Sequence, residues 1–96
     1  MYYRITKVSH GEGDKEKMVK HLESMNHLID SIEGLNQVQL VSVSPTEMIG
    51  ISEYDNAGQV AKAQEKFNQI MAGMMPYFTS PPEVYHGDVF WGFTTK

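Results

Sequence analysis

The fold turns on residues 38–54, Val38-Gln39-Leu40-Val41-Ser42-Val43-Ser44-Pro45-Thr46-Glu47-Met48-Ile49-Gly50-Ile51-Ser52-Glu53-Tyr54. Two β-rich runs meet here at Pro45-Thr46, and proline pre-sets the backbone angle of a tight turn. The stretch therefore predicts a hairpin, with Glu47 to Tyr54 pairing back on Val38 to Val43. Gly50, inside the second run, predicts a bulge or a close approach of another backbone or a ligand. Upstream, Met18, Leu22, Met25, Ile29 and Ile32 recur at steps of four, three, four and three, a helix over roughly 18–33 that buries one face. Downstream, Val60, Ala63 or Gln64, Phe67, Ile70 or Met71, and Met74 predict a second helix over 57–75, limited by Pro76. Asp14 and either Asp55 or Asn56 are the expected N-caps, and Gly34 the expected stop of the first helix. An opening strand at residues 2–8 and a closing one from Val84 to Phe93 complete a βαββαβ order. This is the α+β, ferredoxin-like plan, in which two helices cover one face of an antiparallel sheet.

That plan leaves the other sheet face bare, and a bare face in water should be polar at every second position. Here both parities are apolar: Val38 and Leu40 stand against Val41 and Val43, and Met48 and Tyr54 against Ile49 and Ile51. Val84 and Phe90 likewise stand against Tyr85, Val89 and Trp91. Both faces need cover, which predicts a homodimer with its sheets packed face to face.

A chain of 96 residues holds one core, so residues 1–96 form one domain. The formal net charge of −4 lacks the basic stripe that nucleic acid requires. With no cysteine, thiol catalysis and Cys-based metal sites are excluded. No basic segment followed by an apolar one opens the chain, and no apolar run approaches membrane-spanning length. No signal peptide and no membrane association are expected, and a cytoplasmic location is.

Three phrases carry a family resemblance: Glu33-Gly34-Leu35 ending the first helix, Glu53-Tyr54-Asp55 ending the third strand, and Gly87-Asp88-Val89-Phe90-Trp91 near the C-terminus. In these the chain resembles the dimeric α/β-barrel superfamily, of the antibiotic biosynthesis monooxygenase-like type. The resemblance implies a dimer whose two sheets form a barrel, with an apolar cavity between sheet and helices in each protomer. Members include cofactor-free oxygenases of quinols or polycyclic phenols, haem-degrading proteins, and others that act on chlorite or dyes. Many quinol-oxygenase-like members carry a histidine in the second helix, whereas residues 57–75 contain none. The haem-degrading branch combines an Asn, a Trp and a helix-two His, but strand one here has no Asn and the only Trp is Trp91. Neither activity transfers residue by residue.

The side chains that bear on chemistry are few. His21 and His27 are six apart on a helix and share no ligand face, so both read as surface residues. His10 ends the first strand, where ligand contacts often lie. His86 and Asp88 alternate and so point to one side of a strand. Tyr54, Phe67, Tyr85 and Trp91, with the soft thioether of Met71, suit a pocket for a flat molecule, although the same residue types more often serve core and dimer-interface packing. The expected function is a small cofactor-independent monooxygenase-like protein acting on an aromatic or quinol-type molecule. It needs no metal or cofactor: His10 or His86 removes a phenolic proton, Tyr54 assists, and Trp91, Phe67, Met71 and Tyr85 contact the substrate. The alternative is a non-catalytic small-molecule binder, or a purely structural homodimer of the same fold.

Overall fold

The computed structural model describes residues 1–95. Strand β1 (Tyr2–Ser9) leads to α1 (Lys15–Ser24) and α2 (Asn26–Asp30). The hairpin β2 (Leu35–Ser44) and β3 (Glu47–Tyr54) follows, then α3 (Ala57–Ala72), a 3-10 turn at Met75–Tyr77, and β4 (Glu83–Asp88). The sheet order is β2-β3-β1-β4, and every neighbouring pair is antiparallel. The expected βαββαβ order is present, with differences in detail; among them α3 ends at Ala72 rather than 75 and β2 begins at Leu35 rather than Val38.

The first predicted helix is two. It begins at Lys15, directly after the expected cap Asp14, and breaks at Met25. Ser24 Oγ donates to the carbonyl of His21, a back-bond that competes with the helical ladder and bends it. Met25 and Ile29 nonetheless stay on one buried stripe. Asp14 stands at the N-cap position but makes no capping hydrogen bond, and pairs at 3.5 Å with Lys17 instead. The cap of α3 is Asn56, whose side chain accepts from the Gln59 amide. Gly34 turns the chain at φ 80°, a left-handed conformation that favours glycine.

The last strand is also shorter than expected. β4 ends at Asp88, and residues 89–95 belong to no strand. Alternation of apolar residues reports a preference for pairing; past the Tyr2–Asp88 pair one further hydrogen bond forms, from the Val89 amide to the carbonyl of Met1 at 3.0 Å, and the strand does not continue. Nor is His21 a plain surface residue. It is half-buried, and its Nε2 donates to the carbonyl of Ile70 at 2.9 Å. That carbonyl belongs to the last turn of α3 and has no partner within the helix. Gly73 lets the imidazole approach, because a Cβ there would overlap it.

Two apolar clusters lie between sheet and helices. One gathers Ile32, Tyr54, Val60, Ala63 and Ile70, and the other Val8, Met18, Met48 and Met74. Leu22 packs against both. On the opposite sheet face Ile5, Val41, Val43 and Tyr85 are exposed, and Ile49 and Ile51 half-exposed. The two-sided apolar patterning is thus real, and one side is uncovered within a single chain.

Candidate functional site

Between the two clusters lies a cavity of about 80 Å³. Its floor is the helix-facing side of the sheet, with Thr6 from β1 and Gly50, Ser52 and Tyr54 from β3. Its roof is Phe67, Ile70 and Met71 of α3, Met74 just beyond, and Leu22 and Ile29 from α1 and α2. Strand alternation puts the floor residues on one face, since Thr6 opposes Gly50 and Arg4 opposes Ser52. Gly50 sits in regular register with no bulge, and its tightest neighbour is the Leu40 side chain rather than another backbone, so neither reading of that glycine is what the structure shows. A Cβ on it would meet Leu40 Cδ2 at 3.3 Å and project into the cavity.

Volume decides what this cavity holds. An apolar void of about 150 Å³ admits one benzene ring. At about 80 Å³ the space is short of that, so an aromatic guest enters only if the roof gives way. Met48, Met71 and Met74 line it, and unbranched thioethers repack at low cost.

Of the residues expected at a site, Tyr54, Phe67 and Met71 line this cavity. His10 does not. It follows Val8 on the same strand face and is 1 % exposed. Its Nδ1 donates to the carbonyl of Gly11 at 2.8 Å, so in the neutral ring the Nε2 lone pair is free. That nitrogen is buried without a hydrogen-bond partner among the described residues. His86 lies on exposed β4, where its ring tilts against Tyr2 with centroids 6.4 Å apart. Tyr85 projects from the opposite sheet face, and Trp91 stacks on Phe93 in the exposed C-terminal segment. Among the described residues no cluster of three His, Asp or Glu stands ready for a metal, and no helix is long and apolar enough to cross a membrane.

The residue that sequence reasoning passed over is Arg4, the largest of the fully buried side chains. Its guanidinium donates from Nη1 to Tyr54 Oη and from Nη2 to Gln64 Oε1, each at 3.3 Å. It lies 3.7 Å above the centre of the Phe67 ring, and Nε has no partner among the described residues. Burial lowers the Arg4 pKa, an effect Tyr54 partly opposes. Burial likewise raises the Tyr54 pKa above the ordinary tyrosine value of 10.0, against the pull of Arg4. Tyr54 is therefore a neutral hydroxyl at physiological pH, with its oxygen occupied by Arg4 and its hydrogen free to donate. A signal for Arg4 was present in the sequence: it shares its parity with Tyr2, Thr6 and Val8, so it had to face the helices.

Neither a protein-family model nor a curated protein sequence matches the chain significantly. Solved structures do match in shape. An antibiotic biosynthesis monooxygenase-like protein from Nitrosomonas europaea superposes with a TM-score of 0.76 at 14% identity, covering 95% of this chain and 100% of its own. A protein of the same description from Bordetella bronchiseptica gives 0.76 at 17% identity over 94% of this chain and 97% of its own. SnoaB, a cofactor-independent oxygenase from Streptomyces nogalater, gives 0.81 at 8% identity over 98% of this chain and 97% of its own. In the path of its backbone the chain thus has the ferredoxin-like fold of the antibiotic biosynthesis monooxygenase-like proteins.

Proposed function

We propose that this chain is a homodimeric, cofactor-independent monooxygenase-like protein acting on an aromatic or quinol-type molecule held between sheet and helices. The observation that carries the reading is the cavity itself: apolar walls, a floor of three hydroxyls from Thr6, Ser52 and Tyr54, and an adaptable methionine roof. Such a site suits a flat ring with an oxygen at its edge. An electron-rich phenol, once deprotonated, reduces dioxygen without help, and a dry pocket protects the products of that step from water. The protein's share is then orientation by Phe67 and Met71, hydrogen bonding by Tyr54, and removal of one proton. The proposed acceptor is Nε2 of His10, which is buried without a hydrogen-bond partner among the described residues and lies outside the cavity wall. The second copy covers Ile5, Ile49, Ile51 and Val41, and Tyr85 and Trp91 serve that contact. The expected setting is the cytoplasm.

A second reading, the non-catalytic binder, is favoured by one specific observation. Tyr54 is the sole titratable side chain among the residues that line the cavity, and its raised pKa makes it a donor rather than a base. Oxygen uptake with a panel of hydroquinones separates the two. Uptake that falls at least tenfold in Tyr54→Phe and in His10→Ala supports the oxygenase. Binding of the same compounds without uptake supports the binder. Uptake unchanged in both variants refutes the assigned roles.

A further inference from the structure

Arg4 is a buried cation with no anion. It is 1 % exposed, and among the described residues no carboxylate lies within ion-pair distance of it. Its partners are two neutral oxygens at 3.3 Å, both long for a charged donor, and two aromatic rings. A buried charge is normally paired, because taking it out of water is costly. An apolar side chain of the same length would pack here without that penalty, so packing alone does not explain an arginine. Its surroundings indicate what does. Tyr54 and Phe67, the two rings against the guanidinium, also form part of the cavity wall. The Tyr54 oxygen accepts from Arg4, and its own hydrogen has no acceptor among the described residues. One polarised donor thus borders a cavity that contains no base.

We propose that Arg4 and Tyr54 form a subsite for an ionised aromatic oxygen, so that the cavity takes its ligand as a phenolate. Tyr54 donates to the ligand oxygen, and Arg4, a positioning residue, supplies the positive charge behind it. Ser52 and Thr6 offer further hydroxyls on the same floor. The ligand's proton is lost on binding, to His10 or to solvent, so no base in the cavity wall is needed. The proposal rests on the reading of the cavity as a ligand site and adds the charge state of what it holds.

The test uses 4-nitrophenol, whose colour reports its ionisation, and nitrobenzene as its neutral counterpart, each with the intact protein. Expected is a bound-state pKa of 4-nitrophenol at least one unit lower than in water, seen as yellow colour appearing on protein addition at a pH below the free probe's pKa. A shift of one unit corresponds to about a tenfold preference for the phenolate. In Arg4→Met the shift disappears while nitrobenzene binds as before, and Arg4→Lys restores part of it. Should Arg4→Met fail to fold, Tyr54→Phe, which keeps the ring and removes the donor, must weaken phenolate binding at least tenfold. A probe pKa unchanged or raised on binding, with nitrobenzene bound, overturns the subsite and leaves the cavity reading standing. An equal shift in wild type and Arg4→Met also overturns it. Failure of both probes to bind overturns subsite and cavity reading together.

Discussion

Replacing Arg4 by methionine should leave the fold close to its wild-type stability. Methionine keeps an unbranched stem among Tyr54, Gln64 and Phe67. The substitution removes two hydrogen bonds from a charged donor, each of about 1.5–3 kcal/mol when well formed. At 3.3 Å both sit at the weak end. It also removes a desolvated cation–π contact of about 2 kcal/mol. Against these stands the relief of burying a charge without an anion, several kcal/mol in proteins, and isosteric apolar replacements of buried ions are often neutral or stabilising. Gln64 Nε2 already bonds to Asn68 on the outer side of α3, and Tyr54 keeps a hydrogen to donate. The terms nearly cancel, so Arg4→Met is expected within about 1 kcal/mol of wild type. Arg4→Ala, which leaves a void, should cost about 2–4 kcal/mol. Urea unfolding at neutral pH measures both, with equal slopes as the check on two-state behaviour. A loss above about 3 kcal/mol in Arg4→Met would show that the guanidinium is a satisfied structural group, and its assignment to a ligand would fail.

Further expectations follow from single positions. Gly50→Val places a branched side chain in the cavity floor. Strand propensity and the 3.3 Å approach to Leu40 roughly offset, so stability stays within about 1 kcal/mol while affinity for nitrobenzene drops at least tenfold by calorimetry. Ile5→Lys with Val41→Lys puts two charges on the uncovered sheet face, where both residues are already exposed. Sedimentation equilibrium should show a dimer in wild type and a folded monomer in the double variant, and a wild-type monomer at tens of micromolar would defeat the dimer proposal. The raised pKa of Tyr54 means that the folded state favours its protonated form. Its contribution to stability is fully present below the unfolded value of about 10 and is lost as pH rises through the folded one. Alkaline unfolding should therefore begin at higher pH in Tyr54→Phe, and identical alkaline limits would count against the assignment.

Much of this was legible in the chain because periodicity is a direct image of burial. The stripe from Met18 to Ile32 marks the covered face even though Ser24 breaks the helix, since the break keeps the stripe in phase. The opposed parities of Met48 and Ile49 report two apolar sheet faces from the order of residues alone. Three things were not legible. Residues 89–93 alternate like a strand, but alternation does not say how far a pairing edge extends, and here the pairing stops at the single bond from Val89 to Met1. His21 reads as a surface residue because its role depends on a carbonyl of α3 that lies 49 positions away in sequence. Arg4 was missed because an arginine in a strand is most often solvated, and only the packing of Phe67 and Tyr54 over it shows otherwise. Its parity with Tyr2 and Val8 was the available clue.

The functional reading stands or falls on whether the space above Gly50 and Tyr54 is where this protein holds a small aromatic molecule. A crystal structure of the protein soaked with a hydroxynaphthalene decides it. The expected result is a ring between Gly50 and Phe67, with Met71 and Met74 displaced and the ligand oxygen within hydrogen-bond distance of Tyr54 Oη. A ring bound on the Ile5 face or at the C-terminal aromatics, with this cavity closed as before, would refute it.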